Sequence, residues 1–168
     1  MYDFYTALEY INKRLYEPNH LTIDSVQEET HNSKYGAGTF RLLEKTVRFR
    51  VAHITPAKVG QFVVLWEKDE YNKNQPYSYE ESPDLLVITT FKKDDGFGQF
   101  VFPKDILFKQ NMFRSHSTKG KMAIRVYPEW DLPLNKQAIK TQKWQLPFFI
   151  NLTNLDYLPT DLLKLYLR

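Results

Sequence analysis

Apolar residues at the start of the chain recur at three- and four-residue steps. Phe4, Leu8, Ile11 and Leu15 therefore share one face of a helix predicted over residues 2–16. Asp3 supplies an N-cap oxygen, and Glu17-Pro18-Asn19 ends the pattern. A second, short helix is expected from Asp24 to His31, capped by Asp24 or Thr22. The period then changes to two. Tyr35-Gly36-Ala37-Gly38-Thr39 reads as a turn that leads into strands. Residues 40–43 and 46–52 flank Glu44-Lys45, the expected hairpin tip. In the second of these strands Val47, Phe49 and Val51 alternate with Arg48 and Arg50. This predicts one apolar face and one face carrying two guanidinium groups.

Further along, residues 61–66 form a continuous apolar run, as expected of a central strand covered on both faces. Residues 69–82 are polar and contain Pro and Tyr, which predicts a loop. Strands are expected over 84–91, 99–102 and 122–127. Lys92 to Gly98 forms a turn in which Gly96 and Gly98 are the permissive positions. Pro103 suits the first turn of a helix that runs to about Gln110. Helices are also predicted over 134–144, broken by Pro147, and over 160–167. The order strand, turn, strand, helix, strand, helix gives an α/β (α+β) chain with a central mixed sheet flanked by helices. No internal repeat and no long linker divides residues 1–168, so one domain is expected.

Composition narrows the chemistry. The chain has 168 residues, 42% of them hydrophobic, with 12 Phe, 11 Tyr and 3 Trp, enough for a core without staples. It has no cysteine, which removes thiol nucleophiles, disulfides and cysteine zinc sites. Neither a leader with a basic start and an apolar core nor an apolar run of membrane-spanning length is visible, so a cytoplasmic protein without membrane insertion is expected. The net charge of +3 is small, but it is unevenly distributed. Residues 1–84 hold 10 basic and 13 acidic residues, whereas residues 85–168 hold 13 and 7. Between Lys92 and Arg125 the count is eight against three, a bias that favours an anionic partner.

Three groups of residues could carry chemistry. The first is Glu67, Asp84 and Lys104. A Pro-Asp pair at 83–84 opens one strand, and Lys104 ends the next. Restriction-type nucleases use such a Pro-Asp with an acid-x-Lys to hold Mg²⁺ and activate water. Here Phe102 stands where the second carboxylate belongs, with Gln99 nearby as a weak substitute. The second is the loop Thr55-Pro56-Ala57-Lys58-Val59-Gly60-Gln61, which can offer backbone N–H groups and an ammonium to a phosphate. The third is a mixture of basic and aromatic residues in which Arg48, Arg50, Lys58, Lys92, Lys93 and Lys104 are candidate phosphate contacts. Histidines 20, 31, 53 and 116 show no zinc-ligand spacing. Ser115-His116-Ser117 lacks a nucleophile elbow, and no GxGxxG or Walker loop occurs.

Several stretches resemble the MepB-like family: residues 35–40, residues 47–63 with Trp66-Glu67-Lys68, and residues 98–104. The resemblance implies a restriction-endonuclease-like α/β core in which Asp84 matches the Pro-Asp acid and Lys104 the motif lysine. The family takes its name from a gene beside a multidrug efflux pump. The leading reading is a nucleic-acid-binding protein, with DNA ahead of RNA, whose metal site is degenerate at Phe102 and holds no metal or other cofactor. A metal-dependent nuclease using Mg²⁺ or Mn²⁺ is the first alternative. A protein- or drug-interaction module tied to multidrug resistance is the second. The oligomeric state is open, with a homo-oligomer allowed.

Overall fold

The computed structural model describes residues 3–167. Its centre is a six-stranded mixed sheet, with strands in the order β1 (Ile23–Glu28), β2 (Gly38–Leu42), β3 (Lys45–Val51), β8 (Leu85–Phe91), β9 (Phe97–Pro103) and β11 (Phe149–Asn151). β3 and β8 run parallel, and every other neighbouring pair in this sheet is antiparallel. A smaller antiparallel sheet places β5 (Gln61–Val64) between β10 (Ala123–Val126) and β4 (His53–Ile54). β6 (Glu67–Lys68) and β7 (Asn74–Gln75) form a two-residue ladder.

The alternation in the central strands creates two cores. Val47, Phe49, Val51, Leu85, Val87 and Val101 face α1 (Phe4–Ile11) and α4 (Pro159–Tyr166). Leu86, Ile88, Phe100 and Phe102 face Val63, Leu65, Ile124 and Val126 of the smaller sheet side, together with residues of and around α2 (Lys104–Lys109) and α3 (Lys136–Gln145). Both faces of the large sheet are therefore covered, a consequence of its continuous apolar strands.

The predicted first helix forms with Phe4, Leu8, Ile11 and Leu15 all buried, and the Asp3 carboxylate accepts from Thr6 N at 2.8 Å. It is α-helical only to Ile11. It then widens into a π turn over Asn12–Tyr16 and tightens into a 3₁₀ turn at Glu17–Asn19. The helix expected over 24–31 is instead the edge strand β1. Its side chains are almost all exposed, so side-chain periodicity carried no core signal there, and pairing with β2 fixes the backbone. A register shift between Asp24 and Gln27, with Ser25 at φ 54°, kinks that edge. The β2–β3 tip is Leu43-Glu44, one residue earlier than expected, with both residues at positive φ as a two-residue hairpin turn requires. The expected central strand over 61–66 is central only to the smaller sheet, and its side chains alternate between buried and half-buried.

Candidate functional site

The topology sorts the candidate residues by strand end. β3 and β8 are parallel, so their C-terminal ends lie side by side, and the chain leaves them toward Lys58 and toward Lys92 and Lys93. These two loops line one groove of ≈ 350 Å³. Lys58, Lys92 and Lys93 are exposed in its walls, and Trp130 and Asp131 close it from the segment before α3. Lys92 Nζ sits 5.2 Å from the centre of the Trp130 ring, within cation–π range. Burial raises the Asp131 carboxyl above its ordinary value against the opposing charge of Lys92. Asp94 also lines the groove, so three lysines face two carboxyl groups.

The Thr55–Gly60 loop is held from beneath by Arg125 on β10. Its NH1 donates to Thr55 Oγ1 at 2.9 Å and to the carbonyls of Gly60 at 3.2 Å and Val59 at 3.4 Å. Gly60 has φ 87°, and a Cβ there would meet the Tyr127 ring at 2.6 Å, so only glycine fits this position. The two clamps fix where Lys58 leaves the loop. Gln61, the first residue after it, is buried with its Nε2 on the Phe91 carbonyl at 3.1 Å. That bond ties the Lys58 loop to the end of β8, immediately before Lys92. The sequence named the three lysines, but it gave no sign of Trp130 or Arg125, which arrive from β10 and the segment after it.

Asp84 and Lys104 lie at the other end of β8. Seven residues of strand, roughly 20 Å, separate them from Lys92 and Lys93. The Asp84 carboxylate accepts from Thr46 N at 2.9 Å and Thr46 Oγ1 at 3.1 Å. The Thr46 amide bond lowers its pKa most, and Lys45 and Lys104 lower it further against a partial desolvation. Lys104 lies 4.4 Å above the Tyr79 ring and donates to the Tyr79 carbonyl at 3.4 Å. Glu67 does not join them; it pairs with Arg114 at 2.8 Å. Phe102 is fully buried against Phe100, Trp144 and Phe148. Gln99 is buried on the opposite face of β9, bonded to Thr89 and Tyr166. Among the described residues no group of three or more His, Asp or Glu is placed to hold a metal ion.

Arg48 and Arg50 do share one face of β3, but that face is not open to solvent. Arg50 has a side-chain exposure of 0%. It donates to Glu29 at 2.7 Å, the Phe49 carbonyl at 2.9 Å, Tyr77 Oη at 2.8 Å and the Val64 carbonyl at 3.2 Å. This corrects the expectation that Arg50 is a phosphate contact: the smaller sheet covers Arg50 and leaves it no side open to a phosphate. Arg48, 14% exposed, stacks on Tyr77 with its guanidinium carbon 3.6 Å from the ring centre, and its Nε donates to Glu29 at 3.3 Å. Burial alone would raise the Glu29 carboxyl, yet the two arginine charges hold it below its ordinary value. Glu29 and Tyr77 were not legible as functional residues, because the partners lie 19 to 48 residues apart in the chain.

The MepB-like family model matches residues 29–151, about three-quarters of the chain, and spans the lysine groove and the Glu29–Arg48–Arg50–Tyr77 cluster. The chain belongs to the MepB-like family. A solved structure described as "Crystal Structure of MepB" is similar at 41% sequence identity and a TM-score of 0.77, covering 92% of this chain and 99% of that one. No curated protein matches. This MepB-like chain also has no helix, among the described residues, long and apolar enough to cross a membrane.

Proposed function

We propose that the chain is a cytoplasmic nucleic-acid-binding protein that grips the phosphate backbone in the groove of Lys58, Lys92 and Lys93. The observation that carries this reading is the convergence of three exposed lysines from two loops beside a half-exposed Trp130. The ammonium groups are suited to backbone phosphates, and an indole ring is suited to sequence-tolerant stacking on a base. The parallel pair β3 and β8 brings the loops together at strand C-termini, where crevices form in sheets with parallel neighbours. Lys104, about a strand length away, belongs to a second basic patch with Lys45 around Asp84.

The restriction-endonuclease-like character suggested by the sequence belongs to the same proposal, with the catalytic centre degenerate. Asp84, Glu67 and Lys104 each have partners within the protein, and the position that calls for a second carboxylate is the core residue Phe102. Mg²⁺ or Mn²⁺ cleavage would need a second carboxylate beside Asp84, whereas Glu67 is paired with Arg114. Fluorescence anisotropy with a labelled oligonucleotide tests the proposal. Binding at low salt that weakens severalfold in Lys92→Ala/Lys93→Ala supports it, and binding that ignores these substitutions contradicts it.

A further inference from the structure

A second cavity lies about five residues along the chain from the lysine groove, at the Trp66 end of β5. It has a volume of ≈ 400 Å³, and its lining includes Glu28, Glu29, Arg48, Trp66, Glu67 and Tyr77. That volume lies within the range of small-molecule sites.

The charges of its wall do not cancel one by one. Glu67 is matched by Arg114 at 2.8 Å. Glu29 is the single carboxylate shared by Arg48 and Arg50, so two guanidiniums face one anion. Tyr77 adds no charge, because burial raises its phenol above the ordinary value and keeps it neutral. Glu28 is exposed and screened by water. Counted with Glu28, the three carboxylates of the wall balance Arg48, Arg50 and Arg114, and Arg48 is the arginine that lines the cavity itself.

Arg48 is also preorganised. Its Nε is engaged by Glu29, and its plane is fixed on the Tyr77 ring, which is itself held by Arg50 through Tyr77 Oη. Among the described residues neither terminal nitrogen of Arg48 donates a hydrogen bond within the protein. A rigid guanidinium with its fork edge unused matches a phosphate or carboxylate bidentately. Trp66 stands in the same wall, its indole 5.5 Å from the His31 ring and its ring centre 5.2 Å from Lys68 Nζ, and gives the cavity an aromatic side. A bare ion leaves most of this volume empty.

We infer that this cavity is a binding site for a small organic phosphate, with Arg48 holding the phosphate and Trp66 lining the organic part. The inference goes beyond the nucleic-acid reading and uses different residues, so either can fail without the other. Adenosine 5′-monophosphate is the probe, titrated into the full chain by calorimetry, with adenosine as the comparison. The expected result is saturable binding of the monophosphate and at least about tenfold weaker binding of adenosine, the scale of one charge-assisted bidentate contact. Arg48→Gln should lose at least about tenfold in affinity. Lys92→Ala/Lys93→Ala should bind the monophosphate as the parent chain does. The comparison of the two ligands on the unaltered chain needs no variant. Arg48→Lys, which keeps a charge beside Glu29 but removes the fork, covers the case in which Arg48→Gln does not fold. No binding at millimolar monophosphate, equal affinity for adenosine, undiminished binding in folded Arg48→Gln or Arg48→Lys, or loss of binding in Lys92→Ala/Lys93→Ala would each overturn the inference.

Discussion

The guanidinium carbon of Arg48 lies 3.6 Å from the centre of the Tyr77 ring, and the Tyr77 hydroxyl in turn accepts from Arg50 at 2.8 Å. One tyrosine from the segment after β7 thus aligns both arginines of β3, and Glu29 from the chain after β1 neutralises one of them. The cluster fastens the edge of the large sheet, the smaller sheet and the intervening loop to each other.

Removing the shared carboxylate should therefore be costly. Glu29→Ala leaves Arg50 without a counter-charge in a dry site, which typically destabilises by about 3–5 kcal/mol. Urea unfolding followed by circular dichroism measures this directly. A loss well under about 1 kcal/mol would show that the cluster is not a structural tie.

The same carboxylate gives a pH signature. Its folded pKa lies below the ordinary value of 4.5, so it contributes stability that is fully present above that value. That contribution disappears as pH falls through the lower, folded pKa. Asp84 acts with the same sign below its ordinary 3.8. Stability measured from pH 6 downward should therefore decline below about pH 4.5, and Glu29→Gln should remove part of the slope. An unchanged slope in that variant would contradict the assignment.

At Asp84 the structure points to a local structural role. The carboxylate ties the start of β8 to Thr46 at the start of β3, and the Asp84 amide N–H donates back to Thr46 Oγ1 at 3.0 Å. Asp84→Ala should lower stability by about 1 kcal/mol, as expected for loss of charge-assisted bonds at an exposed, solvent-screened site. Incubation of the parent chain with DNA or RNA and Mg²⁺ or Mn²⁺ should yield no cleavage. Metal-dependent cutting that disappears in Asp84→Ala would restore the nuclease reading.

Helix α1 reads its partner sheet through one glycine. The Phe4 ring lies directly on Gly38 of β2, where a Cβ has no room. Gly38→Ala should cost about 1–3 kcal/mol by overpacking. A melting temperature within about 2 °C of the parent chain would mean that the helix shifts freely on the sheet.

Some of this architecture was legible in the sequence and some was not, for physical reasons. Strands with strong alternation or long apolar runs, such as Thr46 to Val51 and Leu85 to Phe91, announced themselves because burial chose their residues. β1 did not, because an exposed edge is held by backbone bonds that any side chain tolerates. β11 was hidden behind Pro147 as three residues at the end of a helix. The period-two pattern placed Arg48 and Arg50 on one face correctly, yet it could not say that a second sheet covers that face. The lysines of the groove were named one by one. Their meeting depends on the parallel pairing of β3 with β8, and the long stretch of chain between Val51 and Leu85 conceals that pairing. Trp130 and Arg125 were missed because nothing local ties them to Lys58.

Under the proposed function, Lys58, Lys92 and Lys93 together grip a phosphate backbone. The most direct test is the affinity for a labelled oligonucleotide measured across salt concentrations. Three phosphate contacts predict that log affinity falls with log salt at a slope of about −2 to −3, and that Lys58→Ala/Lys92→Ala/Lys93→Ala brings the slope close to zero. A flat response in the parent chain, or the same slope in the triple variant, would contradict the claim.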